Sequence, residues 1–130
     1  MNKIDVKQVV LLHEMLINSI GGLHGVRDAG LLDSAVNGIY QTFGGQELYP
    51  SIEEKAARLG YSLISNHVFV DGNKRVGVLA MLTFLEINNV KIQYTDQEII
   101  NIGFGVATGN LKSFDLHNWI CSKKDNIACK

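Results

Sequence analysis

The chain has 130 residues, with 12 Lys and Arg against 13 Asp and Glu and a formal net charge of −1. Its length suits one domain, 1–130, that buries roughly two-thirds of its unfolded surface around one core, and its charge balance excludes the basic stripe of a nucleic-acid reader and a polybasic membrane-surface patch. The longest apolar run, residues 76–82, falls far short of the roughly 18 residues of a membrane span, and the N-terminal segment, broken by Asp5, Lys7, His13 and Glu14, has no signal-peptide core, so a cytoplasmic location is expected.

In chain order the periodicity is helical. Asp5 is placed to cap a first helix in which Val6, Val9, Val10, His13, Leu16, Ile17 and Ile20 recur at three and four residues, stopping at Gly21-Gly22. Asp28 is the next cap, leading a stripe of Leu31, Leu32, Ala35, Val36, Ile39, Tyr40 and Phe43 that reads as core. Gly44, Gly45, Gln46, Glu47, Leu48 and Tyr49 form a Gly-rich connector that periodicity does not assign. Ser51-Ile-Glu-Glu54 is a capping box after the only proline, Pro50, and opens a helix with Ile52, Ala56, Leu59, Leu63 and Ile64. A helix starting near Asn73 carries Val76, Leu79, Ala80, Leu82 and Phe84; Val90 to Tyr94 alternates too briefly to be more than a linker. Thr95-Asp-Gln-Glu98 is a second box, opening a helix with Ile99, Ile102, Val106 and Ala107 that stops at Gly109, and a short last helix holds Phe114, Leu116, Trp119 and Ile120. Six helices with short connections predict an all-α bundle. Cys121 and Cys129 lack metal-type spacing and read as free thiols.

The chemistry concentrates in His67-Val-Phe-Val-Asp71-Gly72-Asn73-Lys74-Arg75, between two central helices. The start of the following helix directs free N–H groups and the positive dipole end into this loop, as an anion site requires. Gly72 lets backbone amides approach an oxygen and takes φ > 0 at the turn. Asn73 offers an amide donor or a cap, and Lys74 and Arg75, about 100° apart around the helix, reach different phosphates as a point charge and a planar fork. Asp71 beside bound phosphate would be repulsive without a divalent cation between them, which points to Mg²⁺. His67 is the candidate general base, imidazole being the side chain best matched to proton removal near neutral pH. Phe69 is read as an apolar plug that anchors the loop. Singly, a His, an Asp-Gly turn or a Lys-Arg pair is commonly structural or solvated; together, at this spacing, they favour handling of a phosphorylated ligand.

The loop resembles the Fic/Doc signature His-x-Phe-x-Asp/Glu-Gly-Asn-x-Arg, and with Lys74 it is similar to the Doc (death on curing) toxin branch. Gly25-Val-Arg27-Asp28-Ala-Gly30-Leu31-Leu32, Phe43-Gly44-Gly45 with Leu48-Tyr49-Pro50, Lys55-Ala56-Ala57 and Asn66-His67 extend the resemblance over nearly the whole chain. It implies a Fic/Doc-type helical bundle, ATP as co-substrate with Mg²⁺, and a small flap at Gly44, Gly45, Leu48 and Tyr49 that aligns a target segment. AMP-transferring Fic proteins resemble one another in having Gly where Lys74 stands and a second Arg where Val78 stands. The departures imply the Doc-type reaction, transfer of the γ-phosphate to a Ser or Thr hydroxyl of a translation factor, elongation factor Tu by resemblance, with an antitoxin acting in trans; no self-inhibitory Ser/Thr-x-x-x-Glu-Asn/Gly segment occurs. AMP transfer by the same base and an inactive binding module stay open as alternatives.

Other near-motifs fail. His13-Glu14 has Ile17 where a zinc helix needs its second His. Gly103-x-Gly105 lies within a helical pattern and is no dinucleotide fingerprint, and His24 and His117 have no clustered partners. Arg27 either pairs with Asp28 or Asp33 or reaches the active site, and of the two the structural role is favoured.

Overall fold

In the computed structural model, which describes residues 1–124, the chain turns helical where the capping residues direct it. Asp5 caps α1 (Val6–Ile20) and forms a reciprocal box with Gln8, and Asp28 caps α2 (Ala29–Asn37). Ser51 and Glu54 box the start of α3 (Ile52–Ser65), as Thr95 and Glu98 do for α5 (Asp96–Ala107). In each case a side-chain oxygen accepts one of the N–H groups that a helix start leaves without a partner. The remaining helices are α4 (Asn73–Ile87), capped by Gly72, and α6 (Ser113–Lys123). The bundle is mostly helical, as expected for the Fic/Doc type of fold.

The stripe that begins at Leu31 does not stay helical to its end. α2 stops at Asn37, a single 3₁₀ turn covers Gly38–Tyr40, and Thr42–Phe43 (β1) then pairs antiparallel with Gln46–Glu47 (β2). Gly44 and Gly45 form the turn with φ of 59° and 81°, values a two-residue hairpin of the type I′ kind requires and that glycine adopts without strain. Phe43 is therefore 81 % exposed at the hairpin instead of packed in the core. The hairpin is tied down through Lys55, 1 % exposed, whose ammonium donates to Glu47 of β2 at 2.8 Å and to the Tyr49 carbonyl. The linker after α4 is not wholly irregular either, since Ile92 makes an isolated antiparallel bridge to Lys124. Cys121 Sγ lies 3.6 Å from His117 Nε2, and Cys129 falls outside the described residues.

α3 and α4 form the most extensive helix pair, with α6 on α3 and with α1 and α5 on α4. Their approach is close because glycines face each other at the crossing. A Cβ on Gly77 would stand 2.4 Å from Ile64 Cγ1 and 3.1 Å from the Gly60 carbonyl, and one on Gly60 would stand 3.1 Å from Met81 Cβ. Around this contact the fully buried Leu59, Leu63, Val76, Ala80, Met81 and Phe84 fill the centre. The crossing brings the C-terminal end of α3 and the N-terminal end of α4 onto one short loop. Among the described residues no helix is long and apolar enough to cross a membrane.

Gly77→Ala gains up to about 1 kcal/mol in helix propensity, but the added methyl must displace Ile64, a strain of about 1–3 kcal/mol or more. We expect a net loss of about 2 kcal/mol, read as a lower urea midpoint at unchanged slope.

Candidate active site

The turn between α3 and α4 begins with an unusual backbone state. His67 has φ 48°, a left-handed conformation that non-glycine residues adopt only when their surroundings impose it. Those surroundings come from the α1–α2 connector. Arg27 Nε donates to the His67 carbonyl at 2.5 Å and its terminal nitrogen donates to the Asn66 carbonyl at 2.9 Å. Backbone bonds continue the strap: Arg27 N–H donates to the Val68 carbonyl at 2.8 Å, and Val70 N–H to the Gly25 carbonyl at 3.0 Å. Arg27 is thus structural, but through two loop carbonyls rather than Asp28 or Asp33. The His67 side chain stays exposed and forms no hydrogen bond among the described residues.

Phe69 is 1 % exposed and stacks on the buried His13, with ring centroids 3.9 Å apart and planes 7° apart. His13 Nε2 lies 2.7 Å from the Asp71 carbonyl; because a carbonyl oxygen only accepts, Nε2 carries a proton and donates it. The aromatic plug and the loop's far end are therefore held by one side chain of α1. Asn73 holds the loop from the other side. Phe69 N–H donates to Asn73 Oδ1 at 3.0 Å, and Asn73 Nδ2 donates back to the Phe69 carbonyl at 2.9 Å. With its amide oxygen and one amide N–H engaged by Phe69 and only 8 % of the residue exposed, the Asn73 side chain is committed chiefly to holding the loop. Its backbone N–H faces the open end of the helix.

Gly72 enters the left-handed region at φ 77° and caps α4 without a side chain. The conformation calls for glycine, and a Cβ there would also press on Ile17 Cδ1, 3.2 Å away. The Gly72 N–H is taken by Asp71 Oδ1 at 2.9 Å. The first N–H of α4 to find a helical partner is that of Val76, which donates to the Gly72 carbonyl, so the N–H groups of Asn73, Lys74 and Arg75 stand open at the positive end of the helix. Lys74 and Arg75 are exposed beside them, the Lys74 ammonium 6.0 Å from the Phe104 ring centroid.

Asp71 is exposed, yet its carboxylate is fixed. Oδ2 accepts from Leu23 N–H at 3.0 Å and Oδ1 from Gly72 N–H. The Leu23 bond first, then the Gly72 bond and the charges of Arg75 and His13, hold its carboxyl below the usual Asp value of 3.8. The connector comes this close because Gly22 has no side chain: a Cβ there would lie 2.7 Å from Asp71 Oδ2. Of the residues expected to form a flap, Gly44, Gly45 and Leu48 are exposed at the hairpin and Tyr49 is half-buried beside it.

Gly22, Leu23 and His13 are loop-holding residues that motif reading passed over, and for Arg27 it found the structural role but not the partners. His13 left a signal: a polar ring on an apolar helix stripe needs a hydrogen-bond partner inside the protein. The glycine pair at 21–22 read only as a helix stop.

A mostly helical protein that presents a histidine, a carboxylate and a glycine-capped helix start on one braced loop belongs to a narrow class. The chain is a member of the Fic/DOC family, whose model matches residues 3–85. It is 49 % identical over 74 residues to a protein named Toxin Doc from Mycolicibacterium smegmatis, the match covering 57 % of each chain. It is 28 % identical over 111 residues to one named Protein kinase doc from Escherichia phage P1, covering 85 % of this chain and 86 % of that one.

Two outcomes follow from the loop's bonding. Asn73→Ala removes two buried hydrogen bonds and leaves the Phe69 backbone unpartnered, and should lower stability by about 2–4 kcal/mol in urea unfolding. A carboxyl-carbon NMR titration should place Asp71 below 3.8. Because the folded value is the lowered one, its contribution to stability is full above the ordinary value and fades only as pH falls through the folded value.

Proposed function

We propose that the protein is a Doc-type toxin and protein kinase, which moves the γ-phosphoryl group of ATP onto a Ser or Thr hydroxyl of a translation factor and is silenced in trans by an antitoxin. Elongation factor Tu is the target that the family resemblance suggests. The observation that carries this reading is the convergence of His67, Asp71 and three open N–H groups of α4 on one loop. The names of the two relatives, a toxin and a protein kinase, support it.

Each loop residue then has a step. The N–H groups of Asn73, Lys74 and Arg75, with the side chains of the latter two, hold the phosphates and offset the charge on the oxygens in transfer. His67 takes the proton of the target hydroxyl as its oxygen attacks the γ-phosphorus; the bond from that phosphorus to the β–γ bridging oxygen breaks, and ADP leaves. Asp71 supplies a single carboxylate, and no group of three or more His, Cys, Asp or Glu able to hold a metal occurs among the described residues. Asp71 is the residue that would hold a cation arriving with the triphosphate, and Mg²⁺ held there would offset phosphate charge during transfer. Val78 is 4 % exposed in the core, close to the α5 glycine Gly103. The position where AMP-transferring relatives resemble one another in carrying a second Arg is thus apolar here, which supports transfer of the terminal phosphate over AMP.

The test is label transfer from ATP carrying ³²P at the γ- or the α-phosphorus, in a translation-competent lysate with Mg²⁺. The γ-label should reach protein and the α-label should not; α-label on protein would convert the reading to AMP transfer. His67→Asn, which tolerates the left-handed backbone, should lower γ-transfer by about 10²–10⁴-fold while leaving the thermal midpoint within a few degrees.

A further inference from the structure

Arg58 of α3 is half-buried yet meets no carboxylate among the described residues. Two tyrosine rings hold its guanidinium instead, with centroids 5.8 Å away for Tyr49 and 5.4 Å away for Tyr61. The acidic side chains of neighbouring segments are engaged elsewhere. Glu54, one helical turn earlier, accepts from the Ser51 N–H and hydroxyl, and Glu47 is paired with Lys55. A guanidinium steadied by stacking and left without counter-charge is preorganised for an incoming anion, because less side-chain freedom remains to be lost on binding.

The cleft it faces lies between α2 and α3 and is lined also by Ser34, Gly38, Gln41, Ser62 and Asn66, enclosing about 160 Å³. Sites for drug-sized ligands begin at about 300 Å³, so the space suits one polar side chain and not a nucleotide. The hydroxyls and amides of the wall can hydrogen-bond a carboxylate that Arg58 grips through two parallel N–H groups. Arg58 and Ser62 of α3 and its C-cap Asn66 follow one another by single turns along one face, and Asn66 is joined directly to His67. Eight helical residues span about 12 Å, which an extended peptide at about 3.3 Å per residue covers in three or four residues.

We infer that the α2–α3 cleft is a specificity subsite for the protein substrate, in which Arg58 binds an Asp or Glu side chain about three to five residues from the hydroxyl presented to His67. This rests on the phosphoryl-transfer reading for its purpose, though not for its chemistry of recognition. The Tyr49 ring on the guanidinium and Gln41 in the cleft wall place the subsite beside the hairpin, so a segment aligned there passes Arg58 on its way to the loop.

The test uses synthetic peptides with one central Ser or Thr and a single Asp moved through each offset on both sides, read by γ-³²P incorporation and, in parallel, by fluorescence anisotropy of fluorescein-labelled peptides without ATP. Wild type should favour Asp three to five residues from the hydroxyl by about ten-fold over the uncharged peptide, as one charge-assisted contact allows. Arg58→Gln should bring that ratio to about one. Arg58→Glu should invert it and favour Lys at the same offset. Anisotropy that follows this pattern while no peptide takes label supports the subsite and overturns the transfer reading. An acidic preference that persists in both variants, or a wild type without one in either readout, overturns the subsite.

Discussion

Two hydrogen bonds between the Asn73 side chain and the Phe69 backbone close the loop on which every other feature of the site depends. They join the residue that plugs the core to the first residue of α4, so the chain must cover the distance between them in one fixed path. Buried and mutually satisfied, such a pair costs little when formed and much when half-formed. It fixes where Asp71 and Gly72 can lie, and through Gly72 it aims the open end of α4 at the same point. Arg27 and His13 complete the brace from the α1–α2 side, one at the carbonyls of Asn66 and His67 and the other at the carbonyl of Asp71.

The bracing groups and the reactive groups are kept apart. Phe69, Asn73 and His13 are buried and engaged with one another or with backbone, whereas His67, Asp71, Lys74 and Arg75 project from the surface. Under the proposed reaction this arrangement suits chemistry on a group carried by another macromolecule, since a target hydroxyl would reach His67 from outside while the ring stays in place. Holding a histidine at φ 48° has a cost in backbone strain, and the two Arg27 hydrogen bonds offset it. The close glycine crossing of α3 and α4 keeps both loop ends at a set separation, so the packing of the core reaches the site directly.

Local signals in the sequence located most of the frame. Asp5, Asp28, Ser51 and Thr95 are capping residues whose action depends on neighbours within three positions, and they start helices where expected. Gly72 is likewise legible, because the need for φ > 0 is a property of the turn itself. What periodicity missed depends on distant partners or on punctuation. Phe43 continued an apolar stripe, but Gly38 ends the helix and Gly44-Gly45 folds the segment into a hairpin, a signal present in the sequence and outweighed there by spacing. Arg27 and His13 act on residues about forty and about sixty positions away, which no local pattern encodes. Asn73 has the right residue type for an anion ligand, and only the fold shows its amide turned to Phe69.

The central claim is that a magnesium-bound triphosphate lies at the amino end of α4 within reach of His67. Backbone amide NMR of the ¹⁵N-labelled protein during titration with ATP and Mg²⁺ tests it directly. The account predicts the largest saturable shifts at Gly72, Asn73, Lys74 and Arg75, weakened in Asp71→Asn. Shifts confined to another surface, or none at this loop at saturating nucleotide, would contradict it.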